Sequence, residues 1–258
     1  MRKNVHHVSN RGFTLVELLV VVVIIATLAA LGFQGYRAAR MRANESASTA
    51  NLRQLAAANL LYAADHQTYC PADLDGQNLV RWHGARTGIG GKFDPAKGLL
   101  SEYLGLSRRV GTCPELERLA LVSAFNESGA GGYGYNDTYI GNLPSEANKP
   151  NRPANVANPA RTLMFATTAL AVAGGVQEYA SAAPPFWVDP NWRTRGSLQP
   201  SIHFRFNGRA LVAWCDGHVS EERNQDPTDT NRYGGDNAQS NIGFCGPRDN
   251  NGWWNPRN

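Results

Sequence analysis

Arg11-Gly12-Phe13-Thr14-Leu15-Val16-Glu17-Leu18 opens an apolar run that continues to Phe33. From Phe13 to Phe33 there are 21 residues, and Glu17 is the only charged one. At about 1.5 Å of rise per residue, a helix of that length spans the roughly 30 Å hydrocarbon core of a bilayer. Leu, Val, Ile and Ala dominate the run, so intrahelical hydrogen bonds satisfy the backbone where no water is present. The glutamate is the anomaly. A carboxylate in a bilayer costs on the order of 2–4 kcal/mol, and such residues are usually paired. No basic residue lies between Phe13 and Phe33, so the segment cannot neutralise Glu17 itself. A partner from outside the segment is expected.

The residues around the Gly12-Phe13 junction resemble the processing site of the type IV prepilin superfamily, which includes the pilins and the pseudopilins of type II secretion. Three features carry the resemblance: a short basic leader, the Gly12-Phe13 junction, and Glu17 five residues into the chain that follows it. The resemblance implies cleavage after Gly12 by a membrane prepilin peptidase, which also methylates the new Phe13 amine. It implies further partners: an inner-membrane assembly platform, identical or related pilin subunits, and membrane lipid before assembly. It also supplies a partner for Glu17, the α-ammonium of Phe13 on a neighbouring subunit of a helical filament. Other layouts fit less well. A secretory signal peptide is cut after its apolar run, where Ala26, Ala29 and Ala30 offer small residues, but here the junction precedes the run. A plain single-pass anchor has no need of Glu17.

At 258 residues the chain has room for one anchor and one domain with a core of its own. The formal charge of +4 is mostly leader: Arg2, Lys3 and Arg11 precede the junction, and removing them leaves 22 basic against 21 acidic residues. Such a balance gives no reason to expect nucleic acid as a partner. Arg37, Arg40 and Arg42 follow the span and match the leader in number, so the positive-inside rule barely decides topology. The resemblance decides it. The N-terminus lies in the cytoplasm of a single-pass inner-membrane protein, and the remainder lies in the periplasm or, after assembly, in an extracellular filament. In that oxidising setting the four cysteines allow two disulfides. Cys70 with Cys113 and Cys215 with Cys245 are the first candidates, the former because each precedes a proline at a loop entry.

Beyond Phe33 the pattern turns amphipathic. Leu52, Leu55, Ala56, Leu60 and Ala63 form a helical stripe, and no proline occurs until Pro71. One helix is expected from 13 to 64: residues 13–33 as transmembrane or filament-core segment, and 34–64 as its amphipathic continuation. Gly32 and Gly35 are the weak points. Residues 65–258 are expected to form a globular domain that is loop-rich at first. Thr87-Gly88-Ile89-Gly90-Gly91-Lys92 lacks the ending of a phosphate loop and a preceding apolar strand. Leu99 to Leu104 suggests a short helix, Gly131 to Asn136 a glycine-aromatic turn, and residues 148–159 a surface connection.

The periodicity then becomes β. Thr162 to Thr167 reads as a short strand. Ile202-His203-Phe204-Arg205-Phe206 alternates into Asn207-Gly208, followed by the apolar Ala210–Cys215, then Asp216-Gly217 and His218 to Glu221. Two hairpin turns predict a three-stranded antiparallel meander at about 202–222, with Ala210–Cys215 in the middle and Asp216 in a type I′ turn. The tail to Asn258 reads as ordered loop with Trp253 and Trp254 docked. The fold class expected is α+β: a long N-terminal helix packed on a small antiparallel sheet with long loops.

Phe206-Asn207-Gly208 through Trp214-Cys215-Asp216-Gly217-His218-Val219 resembles the H-x9-DG region at the C-terminus of a large class of prepilin-like proteins. Gly134-Tyr135-Asn136 and Pro159 to Ala166 also resemble stretches of that class. The histidine expected ten residues before Asp216 is Phe206 here, and His203 lies three residues too early to replace it.

Among candidate sites, Cys215-Asp216-Gly217-His218 with His203 and Cys245 holds ligand types for zinc, yet C-x2-H is no zinc signature. Major pseudopilins often bind calcium in a C-terminal loop. By that resemblance Asp226, Asp229 and Asp236 are candidate calcium ligands, although no EF-hand spacing is present. No other cofactor is expected. GxSxG, HExxH and a standout carboxylate pair are all absent, so the expectation is not an enzyme but a filament subunit. The large domain and the H-x9-DG-like end lean toward the pseudopilin side. The alternative is a membrane-tethered adhesion or carbohydrate-binding domain that exposes Trp82, Trp187, Trp192, Trp253 or Trp254 as a coplanar platform. A tethered hydrolase would need a nucleophile and base, and none stands out.

Overall fold

A computed structural model describes residues 14–258 apart from 75, 120, 123–126, 144–148, 227 and 229–230. The chain divides into two compact units, Met1–Ala43 and Asn44–Asn258. The first helix, α1, runs Leu15–His66 and contributes to both. Its C-terminus is set by Gln67, which takes a left-handed conformation (φ 62°) while its N–H closes on the Ala63 carbonyl at 2.9 Å.

In the first unit every described side chain from Thr14 to Arg40 is exposed. In the second unit α1 buries Ser48, Leu52, Leu55, Ala56, Ala58, Asn59 and Ala63. These recur at helical spacing and confirm the stripe expected from Leu52 onward. Two polar residues share it, and both are used. The Ser48 hydroxyl donates to Cys113 Sγ at 3.1 Å, and Asn59 accepts the Cys70 N–H at 2.8 Å. Asn44, one turn before Ser48, donates to the buried Glu115 carboxylate, and Asn51 donates to the Tyr133 hydroxyl at 3.0 Å.

Four strands form the central sheet: β1 (Tyr133–Tyr135), β2 (Leu163–Thr167), β3 (Arg209–Trp214) and β4 (Val219–Arg223). Their order is β4-β3-β2-β1, and every pair is antiparallel. All five residues of β2 are buried, as its uninterrupted apolar sequence requires. A helix followed by a small antiparallel sheet with long loops is the α+β class expected.

The meander is corrected. The middle strand is the one expected, but its second neighbour is β2, with Val212 opposite Ala166. Ile202–His203 pairs instead with Ile242–Gly243 from the tail. The Asn207-Gly208 turn reverses the chain without joining two long strands. Both residues have positive φ (51° and 77°), the I′ geometry, but beyond it only Phe206 and Arg209 pair. Between β3 and β4, Gly217 alone has positive φ (92°). Its N–H bonds the Trp214 carbonyl at 2.9 Å, so Cys215-Asp216-Gly217 is a three-residue loop ending in a glycine bulge rather than a I′ turn.

Tyr133-Gly134-Tyr135 is a further correction, since it forms sheet rather than a turn. Tyr135 stacks on Phe165 (centroids 4.7 Å apart), and Trp82 meets Phe165 edge-on at 5.2 Å. Leu163, Ala210, Val212 and Trp214 join a second apolar cluster with Ile202, Phe204, Phe244 and Trp254. There the tail docks as expected: the Trp254 indole N–H donates to the Ala182 carbonyl at 2.8 Å.

Candidate functional site

The N-terminal helix is the candidate site because its chemistry is unsatisfied in the isolated chain. Between Leu15 and Phe33, thirteen large apolar side chains are exposed. Each Val, Leu, Ile or Phe withdrawn from water is worth about 1.5–3 kcal/mol, so this surface is stable only against lipid or other apolar helices. The segment is long and apolar enough to cross a membrane. Its one hydroxyl inside the span is provided for: Thr27 Oγ1 donates to the Ile24 carbonyl at 2.8 Å.

Glu17 sits at the helix start. Its Oε2 accepts the Thr14 N–H at 2.9 Å and the Thr14 hydroxyl at 2.8 Å, while the Glu17 N–H donates to Thr14 Oγ1 at 3.2 Å. This is a capping box, and Thr-x-x-Glu before an apolar run is its sequence signature. The cap adds hydrogen bonds that the sequence reading of Glu17 did not include. Its hydrogen bonds are intramolecular, although its charge is not neutralised by them. The processing residues Gly12 and Phe13 lie outside the described residues.

The other candidates fall in the second unit. All four cysteines are buried free thiols, so neither expected disulfide is formed. Cys113 accepts from Ser48, Cys70 Sγ lies 3.4 Å from the Pro71 carbonyl, and Cys245 packs in the apolar cluster with Phe244 and Trp254. Cys215 lies in the β3–β4 loop, where burial pushes its thiol well above the ordinary range.

The described members of the zinc and calcium candidate sets are not gathered. Among the described residues no three His, Cys, Asp or Glu side chains are close enough to share a metal. Asp216 binds its own loop, accepting from the His218 ring at 2.6 Å and from the His218 N–H at 3.1 Å. His203 is buried in the strand that pairs with Ile242–Gly243, opposite Ile242. Asp226 pairs with Arg248 at 3.0 Å, Asp236 accepts the Gln239 N–H at 2.9 Å, and Asp229 is outside the described residues. Phe206, at the position where the H-x9-DG class carries histidine, is a buried apolar side chain beside the Asn207-Gly208 turn.

The tryptophans make no platform. Trp82 and Trp254 are fully buried, and Trp253 packs edge-on against Trp214. Arg257 covers Trp192 at 3.5 Å from the ring centre. Of the five named, Trp187 alone is exposed. A cleft of about 360 Å³ is lined by Asp73, Asn78, Arg81, Glu127, Tyr179 and Tyr233. Its carboxylate Glu127 is held by Arg81 at 2.8 Å and by Arg86 at 3.6 Å.

Comparison with known proteins points to the same segment. Residues 8–33 match the family described as the prokaryotic N-terminal methylation motif. The type IV wide pilus major component PilA4 of Thermus thermophilus is 44% identical over 59 residues, covering 23% of this chain. The match spans less than half of that relative's length, 45%. No solved structure matches the chain. Its N-terminal segment, the methylation motif with the long apolar helix behind it, is similar to that of the type IV prepilin and pseudopilin superfamily.

Proposed function

We propose that this protein is a structural subunit of a type IV pilus-like filament. On this reading a prepilin peptidase cleaves after Gly12 and methylates the Phe13 amine. The subunit then waits in the inner membrane and leaves it by packing its 13–33 helix against those of other subunits. The observation that carries the reading is the exposed apolar helix Leu15–Phe33 within the segment that matches the methylation motif. A pilus rather than a secretion pseudopilus is favoured because a relative 44% identical over 59 residues is named as a pilus component.

The role of the helix is packing rather than chemistry. Its Val, Ile, Leu and Ala side chains exchange lipid for the same surface of neighbouring copies. Glu17, the one charge in this surface, favours an axial stagger that brings a neighbour's Phe13 ammonium to it, because a buried charge without a counter-charge is strongly penalised. The second unit then occupies the filament surface. Intact mass and N-terminal sequencing of the protein purified from its own membranes test the reading. The expected chain begins at N-methyl-Phe13. A chain cut after Ala30, or one retaining Met1, would replace the filament subunit with a secreted or simply anchored domain.

A further inference from the structure

We propose that Arg37, Arg40 and Arg42 form an interfacial site for the phosphate headgroups of anionic phospholipids, setting the depth of the helix in the membrane before assembly. The proposal rests on the membrane-spanning reading of residues 13–33 and deepens it by naming the lipid class and the residues that hold it. All three side chains are exposed on α1. No Asp or Glu occurs between Glu17 and Glu45. Among the described residues none of the three guanidinium groups is in an ion pair. Arg37 lies over the Phe33 ring at 5.7 Å, a contact that leaves its charge uncompensated.

Position makes phosphate the fitting counter-charge. The arginines lie about 6, 10 and 13 Å beyond Phe33 along the helix axis, from the rise per residue. Cα–Cβ bonds tilt toward the helix N-terminus, which here is the membrane side, so long side chains reach back toward the headgroup layer, itself about 5–8 Å deep. Phe33 and Tyr36, each 61% exposed, mark the same level with the aromatic residues favoured at membrane interfaces. The guanidinium fork matches phosphate oxygens two at a time. Each cationic side chain near an anionic surface strengthens attraction roughly five-fold.

The test uses the full chain in mild detergent with equal phosphatidylglycerol and phosphatidylcholine, counting bound lipids by native mass spectrometry. The wild type is expected to retain phosphatidylglycerol at least ten-fold over phosphatidylcholine. The triple variant Arg37→Gln, Arg40→Gln, Arg42→Gln is expected to show no preference, and the corresponding triple Lys variant to keep part of it. A wild type without preference, or a triple Gln variant that retains it, overturns the proposal. If the triple Gln variant keeps the lipid preference but loses filaments in cells, the arginines face acidic groups on a neighbouring subunit, and the lipid site is again overturned. The N-terminal residue of the same samples reports on processing separately, so a failure of the filament reading is distinguishable from a failure of this one.

Discussion

The Thr14 hydroxyl and the Glu17 carboxylate hold each other at the start of α1, 2.8 Å apart, with the Glu17 N–H returning a bond to the same hydroxyl at 3.2 Å. Glu17 therefore carries two separable properties. As a hydrogen-bond acceptor it satisfies helix N–H and O–H groups that lipid cannot. As a charge it awaits a counter-ion.

Substitution separates the two. Glu17→Gln keeps an acceptor oxygen and removes the charge, Glu17→Leu removes both, and Thr14→Ala weakens the cap by about 1 kcal/mol. If the charge sets the stagger between subunits, Glu17→Gln and Glu17→Leu both abolish filaments, while Thr14→Ala only reduces their yield. Filaments counted by electron microscopy decide it. Normal assembly of Glu17→Leu would remove the basis for any pairing with Phe13.

A second prediction concerns the closed set of buried bonds that ties α1 to β1. Asn59 Nδ2 donates to the Tyr135 hydroxyl at 3.0 Å, that hydroxyl donates to the Cys70 carbonyl at 2.9 Å, and the Cys70 N–H returns to Asn59 Oδ1 at 2.8 Å. Asn59→Leu leaves a buried N–H without an acceptor, and an orphaned buried polar group costs about 1–3 kcal/mol. Denaturant unfolding of the full chain in detergent is expected to show a loss of that size. The exposed Leu61→Asn, on the same helix, is expected to stay within about 0.5 kcal/mol.

The thiols give a third. With all four cysteines buried and unpaired, the native protein is expected to react with a maleimide only on unfolding, and then at four sites. Its intact mass is expected to be the same before and after reduction. A mass that rises on reduction would show that the oxidising compartment closes a pair after all.

How much of this was legible in the sequence varies from place to place. The apolar run, the stripe from Leu52 to Ala63 and the fully buried β2 could be read because burial imposes a period or an unbroken run on apolar letters. The sheet partner of β3 could not. Periodicity marks strands without saying which one a strand pairs with, and the strong Asn207-Gly208 signal fixed a local reversal that the fold does not extend into a long hairpin. The polar contacts of α1 were hidden for another reason. Asn44, Ser48, Asn51 and Asn59 look like solvent-facing residues, and only the tertiary structure supplies Glu115, Cys113, Tyr133 and Tyr135 as their partners. The Thr14–Glu17 cap was different. Its Thr-x-x-Glu signature is legible in the sequence, but in an apolar setting the same glutamate also reads as an unpaired charge, and letters alone do not rank the two.

The last prediction is a pH dependence carried by two buried histidines. His83 and His203 are held well below the ordinary histidine range, first by burial and then by the positive charges of Arg81 and Arg86 beside His83 and of Arg205 beside His203. Neither His83 ring nitrogen has a side-chain hydrogen-bond partner among the described residues, so the folded state does little to offset the burial of its imidazolium. The sign follows from proton binding. Below a pH of about 6.5 the unfolded chain takes up a proton on each imidazole and the folded chain does not, so stability rises with pH through this range and levels off above it. Acidification from pH 7 to pH 5 therefore destabilises the fold, with a limiting slope of about 1.4 kcal/mol per pH unit for each histidine. Burial pushes Asp137 upward as well, which acts in the opposite sense and makes the total slope a poor readout. The difference between wild type and His83→Phe isolates the histidine, since Phe fills the space against Trp82 and Phe93 without titrating. Thermal unfolding across this range is expected to show a shallower acid decline for the variant whatever its stability at neutral pH, and parallel profiles would mean that His83 is protonated in the folded protein.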